Sequence, residues 1–299
     1  LQSRLVVGRL IFVFPVVRSR GLLSAFVVPL VLASPALARA LPARHTRVSL
    51  LSEADAVRPG HPLTVGILLQ MEKGWHTYWR NPGDSGLPTR ARWELPAGFA
   101  AGEIQWPYPT RFTSGPLANY GYEGEVLLPV EIRVPASVAE PQVRIATRVD
   151  WLECQEACLP GRAELSLTLP VRAASAPTPQ AALFAEARTR LPRRDPAWGF
   201  SLSCAAHGLS LLIRPPRGTG LREAYFYPAT PRVLDHAQPQ KLTREGAAHR
   251  LAMVRDPNAA PLERLAGVLV AGTGRGPVAI AVDVPLVPGP ARASLDQER

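Results

Sequence analysis

The stretch Gln142-Val-Arg-Ile-Ala-Thr-Arg-Val-Asp-Trp-Leu-Glu-Cys-Gln-Glu-Ala-Cys-Leu-Pro-Gly161 decides how the chain is read. Val143, Ile145 and Val149 interleave, imperfectly, with Arg144, Thr147 and Arg148. A period of two marks a strand with one buried face. Pro160-Gly161 then reads as a return turn, and Arg162–Val171 as the strand that follows. Working outward, His45–Ser52, Pro62–Gln70, Thr89–Leu95 and Val126–Val134 are further strand candidates. Between them lie Arg58-Pro59-Gly60, Asn81-Pro82-Gly83-Asp84-Ser85-Gly86 and Pro96-Ala97-Gly98, which have the chemistry of turns. Short strands at this spacing predict an all-β sandwich. The composition agrees, with 32 prolines and 23 glycines in 299 residues. Proline breaks helix interiors and is tolerated at turns and strand edges.

Residues 173–179, Ala-Ala-Ser-Ala-Pro-Thr-Pro, read as a linker. Thr178 as N-cap and Pro179 at the first helical position predict a helix over Gln180–Leu191, stopped by Pro192. A second β region follows, with strand candidates Phe200–Ser203, Leu209–Arg214, Glu223–Tyr227, Arg250–Val254, Leu265–Ala271 and Val278–Val284. The expected plan is a sandwich over 41–172, a linker and short helix over 173–192, a second β domain over 193–287 and a frayed tail over 288–299. Two sandwiches in tandem, joined by the helix, fit this plan.

The formal charge of +10 first points to nucleic acid, but its distribution argues against that. Arg4, Arg9, Arg18, Arg20 and Arg39 lie in the first forty residues, which hold no acidic residue and account for five of the ten charges. The rest are scattered without a basic run. Residues 1–40 instead read as an export signal: a basic flank, the apolar Gly21–Pro35 stretch and the small-residue triplet Ala38-Arg39-Ala40, with cleavage expected after Ala40. An N-terminal membrane anchor is the competing reading, weakened by the Arg and Pro residues that interrupt the ~20-residue span it needs. Export would place the protein outside the cytoplasm, in a compartment where disulfides persist.

Three cysteines are present: Cys154, Cys158 and Cys204. A spacing of four permits a local disulfide if the chain turns back between the first two. A ring this short gains little from chain entropy, so a purely structural purpose is a poor use of it. Short, exposed disulfides tend to be labile and redox-active. A reversible redox pair is therefore the leading reading. A static disulfide and a metal site, with Cu(I) the ion that suits two thiolates, remain as alternatives. Glu153 and Glu156 flank the pair and disfavour thiolate unless a base or Arg answers them. Cys204 is expected to be a buried free thiol.

Four motifs in order then resemble one family. They are Gly74-Trp-His-Thr-Tyr-Trp-Arg-Asn-Pro-Gly-Asp-Ser-Gly-Leu-Pro-Thr89, Gln105-Trp-Pro-Tyr-Pro109, Asn119-Tyr-Gly-Tyr-Glu-Gly-Glu-Val-Leu-Leu-Pro-Val130 and Trp151-Leu-Glu-Cys-Gln-Glu-Ala-Cys-Leu-Pro-Gly161. Together they resemble the periplasmic N-terminal domain of DsbD-type protein-disulfide reductases, and in particular the ScsB-like branch linked to copper tolerance. The resemblance is strong over residues 45–172 and loose over 180–287. It implies an immunoglobulin-like sandwich whose cysteine pair passes electrons to periplasmic thioredoxin-like partners, with no bound cofactor. By similarity, Cys158 attacks the partner disulfide and Cys154 resolves the mixed disulfide. Tyr108–Glu123 resembles the cap loop that shields the pair, with Tyr120 and Tyr122 as lid aromatics. Glu123 and Asp150 are candidate acid/base helpers. The 299 residues hold neither the membrane section nor the thioredoxin-like domain that recharges the pair. A separate membrane electron carrier of the DsbD/CcdA type is the expected supply; a longer chain or another reductant are the alternatives.

Other features have plainer readings. Gly83-Asp84-Ser85-Gly86 resembles a protease nucleophile loop, but no accompanying base or orienting group is evident. Trp75, Tyr78, Trp79, Trp93 and Trp106 read mainly as core, His76 as a hydrogen-bonded structural histidine and Arg80 as a turn anchor.

Overall fold

The computed structural model describes residues 45–205 and 208–287. The expected signal segment and tail lie outside the described residues. The strands run β1 (Thr46–Ser52), β2 (Leu63–Met71), β3 (His76–Gly83), β4 (Arg90–Glu94), β5 (Ala100–Ala101), β6 (Thr110–Ser114), β7 (Leu117–Glu123), β8 (Glu125–Arg133), β9 (Gln142–Cys154) and β10 (Cys158–Pro170). After the helix α1 (Ala181–Thr189) come β11 (Gly199–Ala205), β12 (Gly208–Arg214), β13 (Glu223–Pro228), β14 (Lys241–Glu245), β15 (Ala248–Val254), β16 (Arg264–Thr273) and β17 (Gly276–Val287).

The first ten strands form two sheets, an immunoglobulin-like sandwich. One sheet has the order β1-β2-β8-β5; the other has β10-β9-β3-β7-β6, with β4 added alongside β9. Val65, Ile67, Leu69, Leu128, Val130 and Ile132 come from the first sheet. They meet Trp79, Tyr120, Ile145, Val149 and Trp151 of the second in one core. Each such side chain contributes about 1.5–3 kcal/mol through burial. The remaining strands form a seven-stranded sheet, β13-β16-β17-β11-β12-β15-β14. Its two halves join through a short parallel pairing of β11 with β17, Leu202 opposite Leu286 and Ser203 opposite Val287. Ile213 and Leu251 of one half share a core with Phe226 and Leu269 of the other, so the sheet folds over on itself.

Several expectations change. Pro160-Gly161 is not the return turn. Residues 155–157 turn the chain, and Pro160 and Gly161 already stand in β10, opposite Leu152 and Trp151. Proline is tolerated there because β10 is a sheet edge. The helix begins at Ala181, with Gln180 as a cap that makes no side-chain bond. Thr178 instead donates its hydroxyl to the Ser52 carbonyl. The helix joins the two β regions and is itself packed on the first. Phe184 and Ala187 pack on Leu68 and Leu127 of the first sheet, and Arg188 forms an ion pair with Glu53. The two β regions also share core: Tyr227, Val268 and Ala279 belong to the same cluster as Trp79 and Tyr120. Strands β3, β5, β6, β7 and β14 were not expected. In β3, Asn81-Pro82-Gly83 has turn chemistry, yet it lies within the strand where the register with β7 shifts.

Gly161 shows why this sequence suits the hairpin. A Cβ there would stand 2.2 Å from Cε2 of the Trp151 indole. Trp151 is buried, so the ring has little room to retreat. Gly161→Ala is expected to destabilise the chain by about 1–3 kcal/mol through overpacking. The urea midpoint at constant slope measures this; an unchanged midpoint would mean that the indole swings aside freely.

Candidate functional site

The long hairpin β9–β10 pairs Gln142 with Pro170 at one end and Cys154 with Cys158 at the other. Residues directly opposite in an antiparallel pair share a face. Both sulfurs therefore meet at the hairpin tip, where they form a disulfide across a Cα–Cα distance of 4.1 Å. The two are not equivalent. Cys154 is 2% exposed, whereas Cys158 is open to solvent. A thiolate from solvent can therefore approach Cys158 more readily than Cys154.

β3 lies next to β9 and pairs His76 with Cys154. Alternation puts Tyr78 on the same face as His76. The Tyr78 hydroxyl donates to Cys154 Sγ at 2.9 Å and stands 3.5 Å from Cys158 Sγ. Burial raises the Tyr78 phenol above its usual range, with a hydrogen bond from Ser85 acting the other way. The group therefore keeps its proton and remains a donor. Its ring is held by the loop after β3: Gly86 has φ +97°, and a Cβ there would stand 2.2 Å from the Tyr78 ring. Only glycine permits both that backbone and that approach.

His76 is half-buried. It meets Tyr78 edge-on at 5.3 Å and stacks on Phe112 of β6 at 5.0 Å. Its Nε2 is buried with no hydrogen-bond partner. Burial lowers its pKa, partly offset by Glu123, which sits opposite it across β3–β7. Glu123, one of the expected helpers, is thus on the face of the cysteines and exposed.

The other expected helpers are elsewhere. Asp150 lies four residues, or about 13 Å of strand, from Cys154. Burial alone would raise its carboxyl, but Arg162 at 2.5 Å and Arg148 at 3.3 Å hold it below the usual range. It is an ion-paired carboxylate on the flank of the sheet. Tyr120 and Tyr122 are not lid aromatics. On β7 they alternate with Gly121 and Glu123, and therefore face the core. Tyr122 donates to the Pro107 carbonyl at 2.7 Å, and Tyr120 meets His236 Nδ1 at 3.0 Å and the Tyr225 hydroxyl at 3.3 Å. Phe112 takes the place beside the site. Glu153 is buried rather than flanking in solvent; it accepts from the Trp151 indole and the His45 backbone. Cys204 is exposed, not buried as expected. Among the described residues no group of three or more His, Cys, Asp or Glu gathers as a metal site. The soft donors at the hairpin tip are Cys154 and Cys158 once reduced.

Tyr78 and Phe112 were missed as site residues. The available signal was the alternation His76, Tyr78, Arg80 against Thr77, Trp79, which shows only once the segment is taken as a strand.

Two outcomes follow from these contacts. Tyr78→Phe keeps the ring but removes the donor to Cys154, and should slow reduction of the disulfide by dithiothreitol about tenfold, equivalent to ~1.4 kcal/mol. A rate equal to the parent's would exclude the hydroxyl from the exchange. His76 and His236 are both lowered by burial. The unfolded chain therefore binds more protons below the ordinary histidine pKa of about 6.5, and stability falls as pH drops through that value towards the folded ones. Urea midpoints at pH 7 and pH 5 test this, and His76→Gln should flatten part of the difference.

Residues 47–170 match the family model described as thiol:disulfide interchange protein DsbD, N-terminal. The crystal structure of the N-terminal periplasmic domain of ScsB from Proteus mirabilis superposes with a TM-score of 0.57 at 17% identity. That superposition covers 81% of this chain and 94% of that one, so it reaches well beyond residues 47–170. A protein of unknown function from Porphyromonas gingivalis W83 covers 81% of this chain and 100% of that one, at 12% identity and a TM-score of 0.26, too low to argue from. No curated protein matches. With the sandwich and the cysteine-tipped hairpin in place, residues 47–170 are similar to a DsbD-type N-terminal domain.

Proposed function

We propose that the chain is a periplasmic thiol–disulfide exchange module, a protein-disulfide reductase component working through Cys158 and Cys154. The observation that carries this reading is the asymmetry of the pair: an exposed Cys158 and a buried Cys154 whose sulfur accepts the Tyr78 hydroxyl at 2.9 Å.

In the reduced module the Cys158 thiolate attacks one sulfur of a partner disulfide. The partner S–S bond breaks, its electron pair leaves on the second partner sulfur as a thiolate, and a mixed disulfide forms. Cys154 then attacks Cys158 Sγ. The module closes its own disulfide, and the partner departs as a dithiol that has gained two electrons and takes its protons from solvent. Recharging runs in reverse. A donor thiolate attacks exposed Cys158, Cys154 leaves as a thiolate, and the neutral Tyr78 hydroxyl stabilises that charge. A hydrogen bond to a charged group contributes about 1.5–3 kcal/mol. Thioredoxin-like proteins suit both roles because their thiols are exposed, and a membrane carrier of the DsbD/CcdA type suits the electron supply.

Cys154→Ser should accumulate a mixed disulfide with a partner at Cys158, visible on a non-reducing gel and lost on reduction. Cys158→Ser should trap none. The reduction potential of the wild-type pair should lie between about −270 and −180 mV, the range of catalytic exchangers. A pair that stays oxidised below about −300 mV would be a structural staple and would defeat the proposal.

A further inference from the structure

The β6–β7 hairpin has two faces with different attachments. One face carries Phe112, stacked on His76 beside the disulfide. From the other, Arg111 reaches into the second β region. Its guanidinium donates from Nε and Nη2 to the His236 carbonyl at 3.2 and 3.1 Å, and from Nη2 to the Ala237 carbonyl at 2.9 Å. Tyr120, directly opposite Arg111 across β6–β7, adds its bonds to His236 Nδ1 and the Tyr225 hydroxyl. Its ring also packs edge-on against Tyr227 at 5.0 Å. β3 is fastened to the same region, since the buried Asn81 donates to the Pro228 carbonyl at 2.8 Å. His236 is 3% exposed, and Arg111 and Tyr225 are partly buried beside it. Hydrogen bonds to a charged donor in such a setting are the stronger kind.

We infer that the second β region is the clamp of the redox site, and that Arg111 and His236 are positioning residues which hold the β6–β7 hairpin, with Phe112, against the face of the cysteines. The physical reason is adjacency. Successive residues of a strand point to opposite faces, so fixing Arg111 from behind fixes where Phe112 can go in front. Cys158 is open to solvent while Phe112 lies on His76, the neighbour of Cys154, so the fastening sets how much room a partner finds around the exposed sulfur. The second region thereby acts on the exchange without touching either sulfur. In its meaning for catalysis this rests on the exchange function proposed above; the fastening itself concerns access to the disulfide.

The test uses the full mature chain and two probes. Dithiothreitol reads access to the disulfide with no partner recognition; a reduced thioredoxin reads exchange with a protein. Arg111→Met keeps the stem and removes the fork. It should raise the rate of reduction by dithiothreitol about tenfold, with the reduction potential unchanged. Arg111→Lys, which retains the charge but cannot serve both carbonyls as the fork does, should fall between the two, and gives the reading alone if the Met variant does not fold. A Met or Lys variant that melts at a lower temperature yet is reduced within twofold of the parent rate would overturn the clamp, because the seam would then be structural only. If dithiothreitol responds and thioredoxin never exchanges with any form, the clamp stands and the proposed exchange function fails.

Discussion

Everything at the site depends on the register of one hairpin. β9 and β10 pair so that Cys154 stands opposite Cys158, with a three-residue turn between them. Opposite positions share a face, so the disulfide closes without rearranging the sheet. A slip by one residue would send every side chain of the strand to the other face. Val143, Ile145, Val149 and Trp151 oppose that slip, because it would expose all four. The fit of Trp151 against Gly161 adds a steric lock a few residues from the sulfurs. The core of the sandwich is thus what keeps the reactive pair in place.

That pair is placed at a boundary between buried and open surroundings. Cys154 looks inward to a phenol that cannot easily ionise, and Cys158 looks outward. Thiol exchange needs such a difference, since one sulfur must be attacked while the other departs with charge. The Tyr78 hydroxyl is a fixed dipole aimed at the buried sulfur of Cys154. It works because the ring is immobilised by Gly86 on the loop after β3. The same loop is sewn to β7: Asn119 accepts from the Ser85 backbone at 3.0 Å, and Asp84 from the Ala118 backbone at 2.7 Å. What resembled a nucleophile loop in the sequence is a brace for the tyrosine. The second β region supports the arrangement from behind through Asn81, Arg111 and Tyr120, whose polar groups find partners in it.

The sequence by itself determined the all-β class, six of the ten strands in the first region, the short helix and the cysteine pair that closes a disulfide. These are local properties: a period of two, proline and glycine at turns, and two thiols four residues apart. Only the tertiary structure decided which side chains join the sulfurs. Tyr78 lies 76 positions from Cys154, and Phe112 reaches the site on β6, a five-residue strand too short to show a clear period before the Gly115-Pro116 turn. Tyr120 and Tyr122 lie in the segment that resembles a cap loop, yet their parity on β7 turns them to the core. Asp150 was attractive as a carboxylate near the cysteines, yet two arginines claim it. Spacing along a chain fixes which residues can share a face, but contact between strands is set by register and burial. Those follow from the packing of the whole sandwich.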